Sequence, residues 1–377
     1  MNHLLSIIIT ILGFIAVIGP LVFVHEMGHY LAGRIFGVQA DMFSIGMGRE
    51  IIGWTDKRGT RWKVSALPIG GYVKFRGDMG PASDPDPAWE ALQPEEKAKT
   101  LQGKPVWQRF IVVAAGPITN FIAAITIFVV YFGIMGVPQT PTVIGLVVPG
   151  TAAAESGLRP GDRVLRVAGR SVSRFEDMAQ MIALRPRIHI DLLVLRDGRQ
   201  LTVPVTPHAE EFVDPAGNKA EMGLLGVVAA SAVNTHPGPL AVIGAAFRET
   251  GHTVQQITDV IGQIAGGERS AKELGGPLKI AQFSGTAVTV GWLPFFHFVA
   301  LISINLGFIN LLPIPLLDGG HLFFYLIEGV RRRPLPAQAQ EWAFRSGLAL
   351  LLGFMLFVTI NDLGSFGLWQ KLHGLIG

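Results

Sequence analysis

The chain of 377 residues is 49% hydrophobic and only 16% charged, and its mean hydropathy is +0.42. Soluble proteins carry about 25% charged residues on average, so a single water-soluble domain is excluded and we predict an integral membrane protein. The formal net charge of +3 is too small to indicate a nucleic-acid partner. Because the chain has no cysteine, disulfides and cysteine-ligated metals are excluded, and any zinc must be bound by His, Asp or Glu.

Four apolar stretches are long enough for the roughly 20 residues that a helix needs to cross a bilayer. They run over residues 4–24, 110–137, 292–317 and 342–360, and the last is the weakest because Arg345 interrupts it. A cleaved signal peptide is the alternative interpretation of the first stretch. That stretch has neither a basic start nor a small-residue cleavage site, which favours a retained span.

The first apolar stretch ends in His25-Glu26-Met27-Gly28-His29, an H-E-x-x-H motif. On a helix, His25 and His29 lie one turn apart on the same face, so both imidazoles can reach one zinc ion. Glu26 lies beside them, where its carboxylate can take a proton from a zinc-bound water. Two interfacial histidines are the alternative interpretation of this motif alone. Ionisable groups inside a membrane are costly, which favours a functional site.

After the first span, residues 62–75 combine strand-forming residues with turn residues, and we predict short β-hairpins there. The segment from Arg34 to Arg109 contains twelve Lys or Arg residues, and Arg331-Arg332-Arg333 follows the third span. The positive-inside rule places both segments in the cytoplasm. Both termini and the long segment between spans two and three then face the other side of the membrane.

Residues 143 to about 205 predict a compact domain of short strands and turns. The run P-G-T-A-A-A-E-S-G-L-R-P-G-D-R-V, from Pro149 to Val164, and the turn at residues 167–170 resemble a bacterial PDZ domain. A generic β-rich domain is the alternative. PDZ domains bind peptides by adding a strand to a sheet edge, and the candidate groove strand is Val143-Ile144-Gly145-Leu146. Residues 240–264 then predict an amphipathic helix on the membrane surface or against the spans.

The third span ends in Leu312-Pro313-Ile314-Pro315-Leu316-Leu317-Asp318-Gly319-Gly320-His321. Two prolines this close together must disturb the helix, and freed backbone is tolerated at membrane depth only against protein or water. The break therefore indicates a hydrated cavity. Asp318 alone would be interpreted as an interfacial carboxylate. Together with His25 and His29 it is predicted as the third zinc ligand, which leaves a fourth position open for water as in catalytic sites.

Several other polar residues in the spans have two interpretations each. His321 either orients the Asp318 carboxylate or is a plain interfacial histidine. His297 lies among phenylalanines, and we predict that it is packed or interfacial rather than a ligand. Asn120 and Asn305 are predicted to bridge helices, as polar residues do in membranes.

The H-E-M-G-H motif, the N-x-x-P-x-P-x-L-D-G-G-H motif and the PDZ-like insert between them together resemble the site-2 protease family. They are most similar to its bacterial regulator-of-sigma-E protease branch, and the similarity runs from Leu4 to about Asp362. The resemblance implies a zinc intramembrane endopeptidase with three core spans and a fourth in this branch. Well-known members of the branch carry two PDZ domains in tandem, whereas this chain has one.

The resemblance also implies roles for the matching residues. His25, His29 and Asp318 match the ligands of one zinc ion per chain, and Glu26 matches the catalytic base. The substrate-contacting residues are Asn310, Pro313 and Pro315 near the metal, and Gly71, Tyr72, Val73, Lys74 and Phe75 of a membrane-associated β-loop. Residues 116–120 match a Gly- and Asn-bearing motif at the start of span two. Zinc is inferred from the ligand types, so iron or cobalt is an open alternative.

We therefore predict an α-helical membrane protein with four transmembrane helices, a membrane-associated β-loop and one inserted β-rich PDZ domain. The predicted divisions are 1–138 with spans one and two, 139–208 for the PDZ domain, 209–290 as a connecting region, and 291–377 with spans three and four.

The predicted activity is zinc-dependent cleavage of single-span membrane proteins, within or near the membrane, in regulated intramembrane proteolysis. The family suggests a membrane anti-sigma factor or leftover signal peptides as substrates. Other expected partners are a peptide or protein ligand of the PDZ domain and the lipid bilayer. The expected location is the bacterial inner membrane, with the active site near the cytoplasmic face and the PDZ domain in the periplasm. A metal transporter and a catalytically silent PDZ scaffold are the alternatives.

Overall fold

A computed structural model describes residues 3–78, 89, 91–213, 219–231, 233–267, 275–333 and 335–365. Its helices are α1 (His3–Ile35), α2 (Pro94–Lys97), α3 (Val106–Met135), α4 (Ala152–Glu155), α5 (Phe175–Ala183), α6 (Pro239–Ala265), α7 (Pro277–Val290), α8 (Trp292–Leu311), α9 (Asp318–Arg331) and α10 (Ala337–Ser365). Its strands are β1 (Ala40–Thr55), β2 (Arg61–Phe75), β3 (Val137–Gln139), β4 (Ile144–Val147), β5 (Arg163–Val167), β6 (Arg170–Ser171), β7 (Ile190–Arg196), β8 (Arg199–Val205), β9 (His208–Val213), β10 (Lys219–Leu224), β11 (Val227–Ala229) and β12 (Val233–Thr235). The chain divides into two compact units, one of Met1–Tyr131 with Ala246–Gly377 and the other of Phe132–Ala245.

Within the described part of the chain, four helices are long and apolar enough to cross a membrane. They are α1, α3, α8 and α10, which confirms the four predicted spans, although the helix ends differ from the predicted ones. The third helix ends at Leu311 rather than Leu317, because Pro313 holds Leu312 in an extended conformation that a helix cannot continue. The fourth begins earlier, at Ala337, and there Arg345 is paired with Glu341 at 2.6 Å one turn away.

Small residues allow α1 to lie close to its neighbouring helices. A side chain at Gly28 would stand 2.5 Å from the carbonyl oxygen of Ala115 on α3, and one at Gly13 would stand 3.0 Å from the backbone of Ser284 on α7. Hydrogen bonds between polar groups add to this contact, since the Thr119 hydroxyl donates to the carbonyl of Val24 at 3.1 Å. Close backbone contact of this kind is how helices associate in membranes.

The residues for which short β-hairpins were predicted belong to two long paired strands, β1 and β2. The first half of β1 is paired on both sides: Phe43 is opposite both Val73 and Trp62. The segment Gly71–Phe75 is therefore an outer strand, and among the described residues no other strand pairs with its second edge. Phe43 stacks on Trp62 with ring centres 4.5 Å apart, and Tyr30 of α1 packs edge-on against both rings. These aromatic contacts fix the hairpin to α1.

Residues 312–317 form the predicted break between α8 and α9. The backbone of Leu317 donates to the carbonyl of Ile314 at 3.1 Å, so the segment folds into a tight turn. Leu316 has φ of 81°, a left-handed conformation that L residues with large side chains seldom adopt. Gly319 then packs against the carbonyl of Leu312, where a side chain would not fit. Asp318 consequently starts a new helix, α9.

The second unit is built from short antiparallel strands and two short helices. Strands β5 to β8 form a sheet in the order β6-β5-β7-β8, while β4 pairs with β11, β3 with β12 and β9 with β10. Its core is apolar and closely packed: Val164, Leu192 and Val194 from the sheet and Met178 from α5 are completely buried.

The second unit extends beyond the predicted boundary at residue 208. After β10 the chain returns, and β11 pairs with β4 through Val228 and Leu146, while β12 pairs with β3. The predicted connecting region, 209–290, therefore includes the closing strands of this unit. The reason is a pairing between strands about 80 residues apart, for which neither strand carries a local sequence signal.

The predicted groove strand, Val143 to Leu146, is not a free edge. On one side it pairs with β11, and on the other the backbone of Ile144 bonds to Gly161 and Asp162, each at 2.8 Å. Strand addition needs an edge with unpaired N–H and C=O groups. The prediction of Val143, Ile144, Gly145 and Leu146 as the groove is therefore wrong. On its other side β11, the partner of β4, pairs with no further strand among the described residues.

Candidate metal centre

The structure brings together the three residues predicted to bind a metal. Nε2 of His25 lies 3.0 Å from Oδ2 of Asp318, and Nε2 of His29 lies 3.4 Å from the same oxygen. The two imidazole nitrogens are 3.3 Å apart. All three side chains are at least four-fifths buried. Three potential ligand atoms therefore converge on one point at the junction of α1 and α9.

Groups on helix α3 contact the Nδ1 atoms of both histidines and orient their rings. Nδ1 of His29 donates to the carbonyl oxygen of Val112 at 2.9 Å, and since a carbonyl only accepts, Nδ1 carries the proton and Nε2 has a free lone pair. The side-chain amide of Asn120 lies 3.0 Å from Nδ1 of His25. The atom nearest to His25 is Nδ2, while Oδ1 of Asn120 is buried and has no hydrogen-bond partner among the described residues. Turning the amide by 180° in place would give Oδ1 the N–H of Nδ1 and leave Nε2 of His25 facing the cluster with a lone pair.

These donors fit a zinc ion. Oδ2 of Asp318 is buried and receives no hydrogen bond from the described residues, yet two imidazole nitrogens face it. A buried carboxylate oxygen without a donor is costly, and a cation between the three atoms would remove that cost. Two histidines and one carboxylate are a common ligand set of catalytic zinc, and imidazoles held by a carbonyl or amide are typical of such centres.

Gly116 of α3 allows His29 to take its position. A Cβ atom at Gly116 would overlap the imidazole ring of His29, including Nε2 itself. This glycine belongs to the segment 116–120 that the sequence singled out, and Asn120 of the same segment holds His25. The segment thus contributes space at one end and a polar partner at the other.

Glu26 is buried next to the three ligands and close to the outer strand of the hairpin. The backbone N–H of Val73 hydrogen-bonds its carboxylate, and a side chain at Gly71 would stand 3.1 Å from its Cγ. The hairpin therefore reaches the carboxylate through backbone atoms, and the glycine leaves room for that approach.

A cavity of about 410 Å³ opens beside these residues. Of the predicted substrate-binding residues, Asn310, Gly71, Tyr72, Val73 and Phe75 line it, whereas Lys74, Pro313 and Pro315 do not. Pro315 instead packs against Gly347 of α10, where a side chain would stand 2.6 Å from its ring.

The cavity also contains residues that the sequence did not identify. Its apolar wall includes Val22, Met47, Val113 and Leu351, which come from four different elements. No local pattern marks such residues, because each is one apolar side chain among many on its helix or strand. The Val112 carbonyl that holds His29 is likewise invisible in sequence, since a backbone group carries no residue-type signal.

The structure also shows what surrounds the other polar residues that the sequence singled out in the spans. His321 lines the cavity and its ring lies 5.1 Å from that of Phe344. His297 packs between Phe128 and Tyr131, with ring centres 5.7 and 5.5 Å away, which confirms the prediction of a packed histidine. Asn120 bridges α3 and α1, but Asn305 donates to Leu301 within its own helix. The prediction that Asn305 joins two helices is therefore wrong.

Comparison with known proteins defines the class to which this fold and site belong. The model of peptidase family M50 matches residues 13–354. A protein of Agrobacterium fabrum, named as a candidate zinc metalloprotease, is 46% identical over 94% of this chain and 96% of its own length. A similarly named protein of Rhizobium meliloti is 42% identical over the same share. The Metalloprotease MmpA of Caulobacter vibrioides is 37% identical over 99% of this chain and its whole length.

A membrane-embedded zinc metalloprotease is the class that these findings define. The chain belongs to peptidase family M50, the site-2 proteases, which use zinc.

Proposed function

We propose that this protein is an intramembrane endopeptidase that cleaves single-span membrane proteins, with zinc held by His25, His29 and Asp318 and with Glu26 as the base. The observation that carries the proposal is the convergence of these ligand atoms, within 4.8 Å of one another, on helices of which one is a candidate membrane span. A cavity lined by an outer β-strand adjoins them. A metal transporter would need the ligands but neither Glu26 nor such a strand.

The proposed reaction divides the chemistry between the metal and the chain. When bound, zinc supplies a Lewis acid for the scissile carbonyl and the attacking water. Glu26 accepts a proton from that water while the water oxygen attacks the carbonyl carbon. Glu26 then returns the proton to the leaving amine as the C–N bond breaks. The N–H of Val73 holds the Glu26 carboxylate in place during both transfers.

A transmembrane substrate must be unwound before it is cut, because the carbonyls of a helix are engaged in i to i−4 hydrogen bonds. The strand Gly71–Phe75 has no second strand neighbour among the described residues, so it can hold an unwound segment by strand addition, and Asn310 offers a polar side chain in the wall of the same cavity. Pro313 and Pro315 contribute indirectly in this proposal, by forming the turn that presents Asp318.

The remaining expectations belong to the same proposal. The distribution of Lys and Arg favours a cytoplasmic hairpin and a periplasmic second unit in the bacterial inner membrane. The second unit acts as the single PDZ domain, and its peptide ligand pairs with the free edge of β11. Regulated proteolysis of membrane anti-sigma factors, or removal of leftover signal peptides, is the role that the family resemblance favours.

The principal test compares the wild type with Glu26→Gln in detergent, using a single-span model substrate. We expect cleavage by the wild type only, with about one zinc per chain in both proteins, because the amide keeps the size of the side chain but cannot accept the proton. The exposed Glu341→Gln serves as a control that loses a carboxylate elsewhere. Full cleavage by Glu26→Gln would contradict the assignment of the base, and absence of zinc from the wild type would contradict the ligand set.

The strand-addition step has its own test. Proline at Gly71 removes a backbone N–H from the outer strand, and proline at Val73 additionally removes the N–H that holds Glu26. We expect substrate cleavage to fall at least about tenfold in both variants while zinc stays bound, and the Gly71 variant carries the test of strand addition. Ile52→Pro, in the strand at the other side of the hairpin, is the matched control and should cleave normally. Unchanged cleavage in both cavity-side variants would show that the substrate is not held by this edge.

A further inference from the structure

The third proposed metal ligand lies on a helix whose direction α8 cannot set. Asp318 starts α9 directly after the break at residues 312–317, where two prolines and the left-handed Leu316 end helical continuity. A helix advances about 100° and 1.5 Å per residue, so a small change in the rotation of α9 moves the Asp318 carboxylate away from His25 and His29. Contacts elsewhere along α9 must therefore fix its orientation.

Such contacts are made with α10, where the Phe344 ring lies against His321 and Phe324, and with α3, the helix that also orients the two histidines. Leu322 of α9 is buried against Val113 and Ala114. Two turns further along α9, Glu328 accepts a hydrogen bond from Nη2 of Arg109 at 2.7 Å. Helices α3 and α9 thus make an apolar contact at Leu322, near the proposed metal ligands, and an ion pair between Arg109 and Glu328, further from them.

The ion pair between Arg109 and Glu328 is mostly buried, unlike a typical surface ion pair. The side chains of Arg109 and Glu328 are only 16% and 14% exposed. The Arg109 guanidinium also lies 4.9 Å from the centre of the Tyr325 ring and donates to the carbonyl of Lys104 at 3.1 Å. Burial raises the pKa of Tyr325 to about 12, so its phenol stays neutral beside the cation. Each partner is held in one geometry, which exposed ion pairs are not.

We infer that Arg109 and Glu328 are positioning residues for the metal centre. Their ion pair fixes α9 against α3, and this places Asp318 where it can bind the same metal ion as His25 and His29. Val112 and Asn120 of α3 contact the imidazoles of those two histidines. The ion pair lies ten residues, or roughly 15 Å, along α9 from Asp318, and it touches neither substrate nor metal. The inference rests on the proposed ligand set of His25, His29 and Asp318.

The test measures zinc affinity in the full-length protein by competition with a chelator, independently of proteolysis. We expect Glu328→Gln to weaken zinc binding at least about tenfold, the usual range for groups that orient metal ligands. The visible spectrum of the cobalt-substituted variant should shift towards that of Asp318→Asn. Glu341→Gln, which removes a carboxylate from an exposed pair with Arg345, should leave both measurements unchanged.

A double-mutant cycle separates positioning from general loss of stability. If Arg109 and Glu328 act as one unit, Arg109→Met and the double variant should lose about the same zinc affinity as Glu328→Gln, rather than the sum. Wild-type zinc affinity and cobalt spectrum in folded Glu328→Gln would overturn the inference. If that variant does not fold, Arg109→Gln, which removes the cation, carries the same measurement, and wild-type zinc affinity there would equally overturn the inference. An Asp318→Asn variant with normal zinc affinity would instead contradict the ligand set itself.

Discussion

At the scale of single residues, the proposed metal centre depends on a missing side chain as much as on the proposed ligands. His29 lies against Gly116 so closely that a Cβ atom there would overlap its ring. The same helix supplies the Val112 carbonyl that fixes the proton of His29 on Nδ1. The position and the tautomer of this imidazole are thus both set by α3, one by space and the other by a backbone acceptor.

Gly116→Ala is expected to weaken zinc binding by at least about tenfold, because the added methyl group must displace His29 from its place and orientation. The measurement is zinc affinity by chelator competition, together with the zinc content of the purified protein. Alanine stabilises a helix by about 1 kcal/mol relative to glycine, so a loss of zinc affinity in this variant cannot be attributed to a weaker helix α3.

Gly133→Ala is the matched control on the same helix, since a Cβ atom at Gly133 meets nothing within 4 Å. That variant should bind zinc as the wild type does. Equal zinc affinity in the Gly116 and Gly133 variants would show that His29 can shift without cost.

At the scale of elements, helix ends are completed by groups from distant parts of the chain. The first N–H groups of α7 find no cap in the residue that precedes the helix, Gly276. The carboxylate of Asp362 on α10 accepts the N–H of Gly276 and that of Lys279, each at 3.1 Å. Asp362 is fully buried. A carboxylate near the C-terminal end of α10 thereby stabilises a helix end more than 80 residues away.

Asp362→Ala should destabilise the protein by about 1–2 kcal/mol or more, the cost of a lost helix cap with backbone donors left buried. Thermal unfolding in detergent measures the effect. Asp259→Ala, at an exposed position of α6, is the control and should leave the unfolding midpoint unchanged. An unchanged midpoint for Asp362→Ala would mean that α7 finds other partners at that end.

At the scale of the whole molecule, the two units differ in the interactions that hold them. The membrane unit relies on close helix contacts and a few buried polar groups, whereas the second unit has an apolar core and one buried ion pair. In that pair, Asp162 is 1% exposed and contacts Nε of Arg196 at 2.6 Å, and the N–H of Arg159 also donates to it at 2.9 Å. Burial alone would raise the pKa of Asp162, but the hydrogen bonds and charge of Arg196 and the Arg159 N–H lower it.

This lowered pKa predicts an acid-sensitive second unit. The unfolded state of an aspartate binds a proton near pH 4, and the folded unit does so only at lower pH. The stabilising contribution of Asp162 is therefore complete above about pH 4 and is lost as the pH falls through the folded-state pKa. Thermal unfolding of the full-length protein, followed by circular dichroism between about pH 6 and 3, should show this loss.

Asp162→Asn should be less stable than the wild type at neutral pH and should lose less stability on acidification. The exposed Asp191→Asn, in the same unit, controls for the removal of a carboxylate from the sheet. A difference between wild type and Asp162→Asn that stays constant with pH would contradict the linkage.

The sequence was sufficient for features that depend on local pattern. Length and hydropathy located four spans, because a bilayer requires a long apolar run whatever the neighbours are. The prolines at 313 and 315 located the break, because proline ends a helix by its own geometry. Residue types at helical spacing predicted a pair of ligands at His25 and His29 with Glu26 beside them, and the match over residues 13–354 confirms the family that the sequence indicated.

Only the tertiary structure decided which distant groups meet. It paired β11 with β4 and so removed the predicted groove, it placed Lys74 and Pro313 outside the cavity wall, and it revealed the Val112 carbonyl, the Asp362 cap and the Arg109–Glu328 pair. The physical reason is the same in each case. A long-range contact forms between groups that are individually ordinary, and its selection depends on the free energy of the whole packed arrangement, which no local segment contains.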